Sequence, residues 1–336
     1  MSELKLTFAG CDYWDRTRPL MDGSVKITGV DLNYIVLPLR DLFRRMVRDE
    51  EFGAAEMSLS TFVALAGRGD RRFVAIPVFP SRNFRHSYLF VNVKAGIEKP
   101  QDLRGRRIGI PEYQMTAGLW IRAFLQHDYG VHPREMEWFT GGLAEAGYTE
   151  RAHLTLPSDI RLSVIPEHRH LEEMLDKGEL DALIAPVRPK SLVRREGKVR
   201  RMFPDSRNVE KDYYRRTGIF PIMHTIVVRR DIYEANRWIA ANLFEAFERA
   251  KRQGRARLLV TGPLAVALPW VPDDLEEIDE VFGGQDPWVY GIEPNRKVIE
   301  ALIDYSLEQG LATQRVAVDE LFAKECFVMP AIGEAA

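Results

Sequence analysis

The densest run of reactive side chains is Pro80-Ser81-Arg82-Asn83-Phe84-Arg85-His86-Ser87, which follows the apolar stretch Phe73–Phe79. Guanidinium groups such as those of Arg82 and Arg85 bind carboxylates through two parallel hydrogen bonds. His86 and His224 each fall where a polar motif meets a strand-like run, and histidine titrates near neutral pH. Proton transfer by such a group contributes roughly 10²–10⁴-fold to a rate. Glu112 can serve as a second acid or base, or can orient a histidine. Each group also has a plainer role: an exposed arginine, a hydrogen-bonded histidine at a strand end, or a carboxylate at a helix start.

An anion site is suggested by Tyr113-Gln114-Met115-Thr116, because Thr116 can cap a helix running from Ala117 to Tyr129. Ser58 and Ser60 offer hydroxyls of the same kind ahead of the apolar run from Phe62 to Ala66. Tyr113 adds a stacking face or a phenol, and Arg16, Arg18 and Arg216 are further cations. His127, His132, His153, His168 and His170 sit in helix ends or polar loops, where surface positions explain them. A metal is not expected: His86, His224 and Glu112 make a His/His/carboxylate set, but no local His-x-x-His or Glu-x-x-His spacing supports it. Gly141-Gly142 and Gly283-Gly284 lack the strand–Gly-x-Gly-x-x-Gly–helix context of a phosphate loop, so no nucleotide is expected.

The elements that must position these groups alternate along the whole chain, the pattern of an α/β fold. Strands are expected at Met1–Gly10, 31–37, 73–79, 88–93, 181–185 and Met223–Val228. Helices are expected after Pro38, over Ala117–Tyr129, at Leu171–Leu175 with Gly178 as its stop, over Tyr233–Gln253, and around Leu302–Leu307. Trp238, Phe244 and Phe247 should face the core from the long helix. The basic stretch Lys190–Arg201 reads as a solvated surface.

The chain has 336 residues, 46% of them hydrophobic, enough for two lobes around a large core. Lys+Arg 47 against Asp+Glu 49 leaves a formal net charge of -2, which argues against a nucleic-acid partner. Two cysteines, Cys11 and Cys326, exclude a disulfide framework. No apolar run reaches the roughly 20 residues of a membrane helix. The opening residues Met1–Gly10 alternate like a strand and unlike a secretory signal, so a cytoplasmic protein is expected.

Three segments together carry a family resemblance: Phe79–Ser87, Gly109-Ile110-Pro111-Glu112-Tyr113-Gln114-Met115-Thr116-Ala117, and Tyr213-Tyr214-Arg215-Arg216-Thr217-Gly218-Ile219-Phe220-Pro221-Ile222-Met223-His224-Thr225. Met57-Ser58-Leu59-Ser60 and Gly178–Ile184 fit in order. As a set they resemble the 4,5-dihydroxyphthalate decarboxylase family, whose members look like relatives of the type 2 periplasmic solute-binding proteins. The resemblance implies two α/β lobes around a ligand cleft, each a mixed sheet flanked by helices. Lobe 1 would comprise residues 1–94 plus 222–336, and lobe 2 residues 95–221. One position departs from the pattern: Asp12-Tyr13-Trp14-Asp15-Arg16 carries Trp14 as an extra bulky residue.

The resemblance further implies an aromatic dicarboxylate as the small-molecule partner, and a carboxy-lyase giving 3,4-dihydroxybenzoate and carbon dioxide. Direct loss of carbon dioxide would leave an in-plane aryl carbanion. Protonating the ring carbon that bears the departing carboxylate, with electrons supplied by the para hydroxyl, avoids it. That route calls for cationic groups on the carboxylates and a proton donor above the ring, with no cofactor. Arg82, Arg85, Arg16 and Arg216 would hold the carboxylates with Ser58, Ser60, Tyr113, Gln114 and Thr116, and His86, His224 and Glu112 would move protons. The alternative is a transporter-type solute-binding protein that captures an aromatic carboxylate without reacting it. Assembly with further copies of the chain is compatible with either.

Overall fold

The computed structural model describes residues 3–147, 151–152 and 155–327, so His153 lies outside them. Among the described residues, eleven strands occur in chain order: β1 (Leu4–Gly10), β2 (Val30–Val36), β3 (Ala54–Ser58), β4 (Phe73–Arg82), β5 (Leu89–Asn92), β6 (Arg107–Gly109), β7 (Glu137–Thr140), β8 (Arg161–Val164), β9 (Ala182–Ile184), β10 (Val199–Arg201) and β11 (Ile222–Arg229). They form two mixed sheets flanked by helices, ordered β2-β1-β3-β11-β4 and β10-β5-β9-β6-β7-β8. In the first sheet β1 runs parallel to β2 and β3, and β11 inserts antiparallel between β3 and β4.

Burial explains the composition of the central strands. All five residues of β3 are buried, and nine of the ten in β4. Strands covered on both faces lose the apolar/polar alternation and become continuous apolar runs. A polar group in such a strand must therefore find a partner inside the protein. The helix Leu39–Asp49 buries Leu42, Phe43, Met46 and Val47 against this sheet, one stripe at helical spacing.

Two connections cross between the sheets. The first is the segment 83–88 after β4. The second holds the helix Ser206–Thr217, which ends at Gly218 in the left-handed conformation with φ 65°. The helix Thr116–Tyr129 ties the halves together, because the Trp120 indole donates to the Ile222 carbonyl at the start of β11, at 3.0 Å. The helix Arg296–Glu308 packs on both Leu59–Ala66 and Thr116–Tyr129.

Several expectations are corrected. Residues 89–92 fell within the expected first lobe, yet β5 pairs with β9 and β10 in the second sheet. Thr116 is the first residue of its helix, not its cap; Met115 holds the cap position. The long helix is interrupted: Arg230–Ala235 ends at Asn236, and Trp238–Leu258 follows. Trp238, at the start of that second helix, is exposed, while Phe244 and Phe247 are core. Part of the basic stretch becomes strand β10, whose Val199 is buried.

Gly254 is where the loop 11–17 docks on the Trp238–Leu258 helix. A Cβ at Gly254 would overlap the backbone of Asp15. Backbone cannot swing aside as a side chain does, so Gly254→Ala should lower stability by about 1–3 kcal/mol. The urea midpoint would report this loss.

Candidate active site

Glu56 is buried in the middle of β3 with 1% of its surface exposed. Three groups meet its carboxylate. The Cys11 backbone N–H donates to Oε2 at 3.0 Å, and the Tyr13 hydroxyl to Oε1 at 2.7 Å. His224 Nδ1 lies 2.6 Å from Oε1. Burial alone would raise the Glu56 pKa, but His224, Tyr13 and the Cys11 amide together hold it below the usual range. Burial and the Glu56 charge push the Cys11 thiol up to about 12, and burial likewise raises the Tyr13 phenol. Both therefore remain neutral beside the carboxylate.

His224 reaches this position through an irregular stretch of sheet. It sits opposite Ser58 on β3, and the β11/β4 register shifts on either side of it. Pro77 and Pro80 in β4 have no N–H to donate, which breaks the ladder there. Such bulges re-aim side chains. The Phe43 ring meets the imidazole edge-on at 5.0 Å. With Nδ1 on Glu56, Nε2 is the ring nitrogen left for a ligand.

His224 lines a cavity of about 270 Å³ between the two sheets. The first sheet contributes Ser58, Met223 and His224, and the helix Leu39–Asp49 that covers it contributes Phe43; the other side contributes Glu112, Thr116, Gly142 and Pro186. Arg85 lies in the crossing segment and also lines it. Its guanidinium is buried; Nε contacts Met223 Sδ at 3.1 Å and the Tyr88 ring lies 4.8 Å away. Among the described residues Nη1 has no hydrogen-bond partner. Burial pulls the Arg85 pKa down to about 10, so it is still a cation at neutral pH.

One wall of the cleft is lined by hydroxyls. Thr116 Oγ1 lies 2.9 Å from Ser58 Oγ and 3.0 Å from Ser60 Oγ, joining β3 to the helix Thr116–Tyr129 across the cleft. Ser60 donates to the Gln114 carbonyl at 2.5 Å. The first N–H groups of that helix have no intrahelical acceptor. Glu112 is ion-paired with Arg151, whose backbone N–H also donates to Oε1 at 3.2 Å.

The structure thus brings together His224, Glu112, Arg85, Ser58 and Thr116, and not the other expected residues. His86 is stacked on Phe124, with ring centroids 3.9 Å apart, among Phe203 and Tyr213. Arg82 hydrogen-bonds Asn295 and the Val289 carbonyl, on a different cavity. Arg16 donates to the Pro80 carbonyl and pairs with Asp15; Arg18 pairs with Asp12 and Arg216 with Asp128 at the surface. Tyr113 and Gln114 are buried behind the cleft wall: Arg122 lies 3.8 Å from the Tyr113 ring, and Gln114 donates to the Ala152 carbonyl. Ser60 contacts Thr116 without lining the cavity. Trp14 is half-exposed and lines neither the cleft nor the Glu56 contacts. Among the described residues no group of three or more His, Cys, Asp or Glu is gathered to hold a metal ion.

Glu56 is the residue that motif reading passed over. Its signal was available: a lone carboxylate inside Ala54-Ala55-Glu56-Met57, a run too apolar for a solvated strand.

No known family profile matches the chain. It is 38% identical over 322 residues to a 4,5-dihydroxyphthalate decarboxylase from Comamonas testosteroni, spanning 96% of this chain and 97% of that protein. It is 39% identical over 215 residues to one from Pseudomonas putida, spanning 64% of this chain and 83% of the other. Among solved structures, the periplasmic aliphatic sulphonate binding protein SsuA from Escherichia coli aligns with a TM-score of 0.55 at 13% identity, covering 98% of this chain and 100% of that one. The last likeness shows the fold: two lobes of periplasmic-binding-protein type.

Burial, reinforced by the charge of Arg216, pushes the His86 pKa down from 6.5 to about 3. The unfolded chain therefore binds this proton first. Stability from the neutral ring is complete above about pH 6.5 and is lost as pH falls toward 3. His86→Phe should flatten that loss by up to about 1.4 kcal/mol per pH unit. Urea unfolding at pH 7 and pH 5 measures it, and turnover should stay within a few-fold of the parent.

Proposed function

Because the chain belongs to the 4,5-dihydroxyphthalate decarboxylase family, we propose that it removes one carboxylate from 4,5-dihydroxyphthalate as carbon dioxide, leaving 3,4-dihydroxybenzoate. The observation that carries the site assignment is the Glu56–His224 pair opening on a cleft beside a buried arginine that, among the described residues, forms no ion pair.

In this reading Arg85 binds a substrate carboxylate. An anion there relieves a cation whose burial is otherwise uncompensated. The helix N-terminus at Thr116 and the Ser58 hydroxyl take the second anionic edge. The hydroxyl para to the reacting carbon, as a phenolate, pushes electrons into the ring while His224 Nε2–H gives its proton to that carbon. The bond to the carboxylate then breaks, its electron pair returns to the ring, and the phenolate is restored. One proton is taken up per turnover, and solvent returns it to His224. Glu56 positions the imidazole through Nδ1 and supplies a counter-charge beside it. Glu112 and Arg151 offset each other and shape the wall. This chemistry needs neither a redox group nor a metal. The reading also places the enzyme in the cytoplasm, supported by Cys11 and Cys326, both free thiols.

Chelator-treated protein supplied with 4,5-dihydroxyphthalate should release carbon dioxide and 3,4-dihydroxybenzoate in equal amounts. Glu56→Gln should lower kcat by roughly 10²-fold, because the imidazolium loses its counter-charge. Arg85→Met should act mainly through KM. No turnover by the folded parent, with or without added divalent metal, would overturn the reading.

A further inference from the structure

Outside the cleft, a cluster of buried polar groups surrounds Arg82. This residue lines a cavity of about 490 Å³ that shares no lining residue with the cleft. Arg82 has 7% of its surface exposed, yet its partners are neutral: the Val289 carbonyl at 3.0 Å, the Phe220 carbonyl at 3.5 Å and Asn295 Oδ1. Among the described residues no carboxylate pairs with it, and its Nε has no hydrogen-bond partner. The hydroxyl of Tyr290, which lines the same cavity with 1% of its surface exposed, has none either.

The rest of the lining is cationic in excess. Lys251 and Arg255 share the carboxylate of Asp286, and Lys251 and Arg252 share that of Glu248. With Arg82, four cations face two carboxylates. Burial lowers the Arg82 pKa only to about 10, so its charge persists at neutral pH. The remaining wall is aromatic: the ring of Phe220 lies 5.5 Å from that of Phe282, which meets Tyr214 in a tilted pair at 4.3 Å. Cations that bind a carboxylate thus stand beside ring faces that bind an aromatic body.

We propose that this cavity is a second ligand site for an aromatic carboxylate, whose anionic head meets Arg82 and Tyr290 and whose ring lies against Phe220 and Phe282. The claim concerns binding alone and stands apart from the reaction assigned to the cleft. Arg82 closes β4 opposite Ile222, two residues before His224. A ligand on Arg82 therefore touches the same strand ends that carry the cleft.

The test is a ¹⁹F NMR titration with 4-fluorobenzoate, which reads binding without turnover. The Arg85→Met protein, impaired in the cleft, should still bind the probe, and the further change Arg82→Met should abolish that binding. Arg82 also ties down three neutral acceptors, so an independent pair of variants uses the exposed lining residue Gln285. Gln285→Lys should tighten binding to the Arg85→Met protein and Gln285→Glu should weaken it, each by roughly threefold or more. Loss of all binding with Arg85→Met alone, or Gln285 variants of unchanged affinity, would overturn the second site.

Discussion

A carboxylate placed at the centre of a sheet buried on both faces constrains everything around it. Glu56 is expensive to bury as an anion unless donors surround it. Hydrogen bonds to a charged group contribute about 1.5–3 kcal/mol each, and an orphaned charge costs more than the bond it loses. The three donors come from different parts of the chain: the Cys11 amide and Tyr13 hydroxyl from the loop after β1, and His224 from β11. One buried charge thus fixes the loop, the register of the inserted strand and the orientation of the imidazole facing the cleft. Gly254 completes the arrangement by letting that loop lie directly on a helix.

The arginines sort by the same electrostatic logic. Most ion pairs in this protein are at least partly exposed, and such pairs contribute little. Arg82, Arg85 and Arg122 differ because each guanidinium is buried with one nitrogen unpaired among the described residues, and of the three Arg85 is the one that lines the cleft. A buried cation without an acid is tolerable where an anionic ligand visits. The hydroxyls of Ser58, Ser60 and Thr116 bridge the two sides of the cleft next to it. They make the cleft wall polar on the face where Arg85 is cationic, a distribution suited to a substrate with two charged edges. The scaffold is shared with solute-binding proteins, and what is particular to this chain's cleft is the buried Glu56–His224 pair.

Periodicity was enough to read the alternating elements and the α/β class, because burial on one or two faces writes itself into local composition. Pairing is non-local, which is why residues 89–92 looked like part of the first lobe yet joined the second sheet. His86 and His224 have nearly the same sequence surroundings, a polar motif beside a strand. Only the packing distinguishes an imidazole stacked on Phe124 from one held by a carboxylate. Arg82 and Arg85 are three residues apart; β4 continues through Arg82 and turns it to a different cavity, while Arg85 lies beyond the strand end. Glu56 was legible in principle, as a charge where the run of apolar neighbours left no solvent face.

The most direct measurement is a crystal structure of the protein with 3,4-dihydroxybenzoate bound. The expected result is the product carboxylate against Arg85, with the unsubstituted ring carbon that lost its partner beside His224 Nε2 and Glu56 still on Nδ1. A cleft left empty at saturating product, or a ring bound with its carboxylate turned away from Arg85 and no ring carbon near His224, would contradict it.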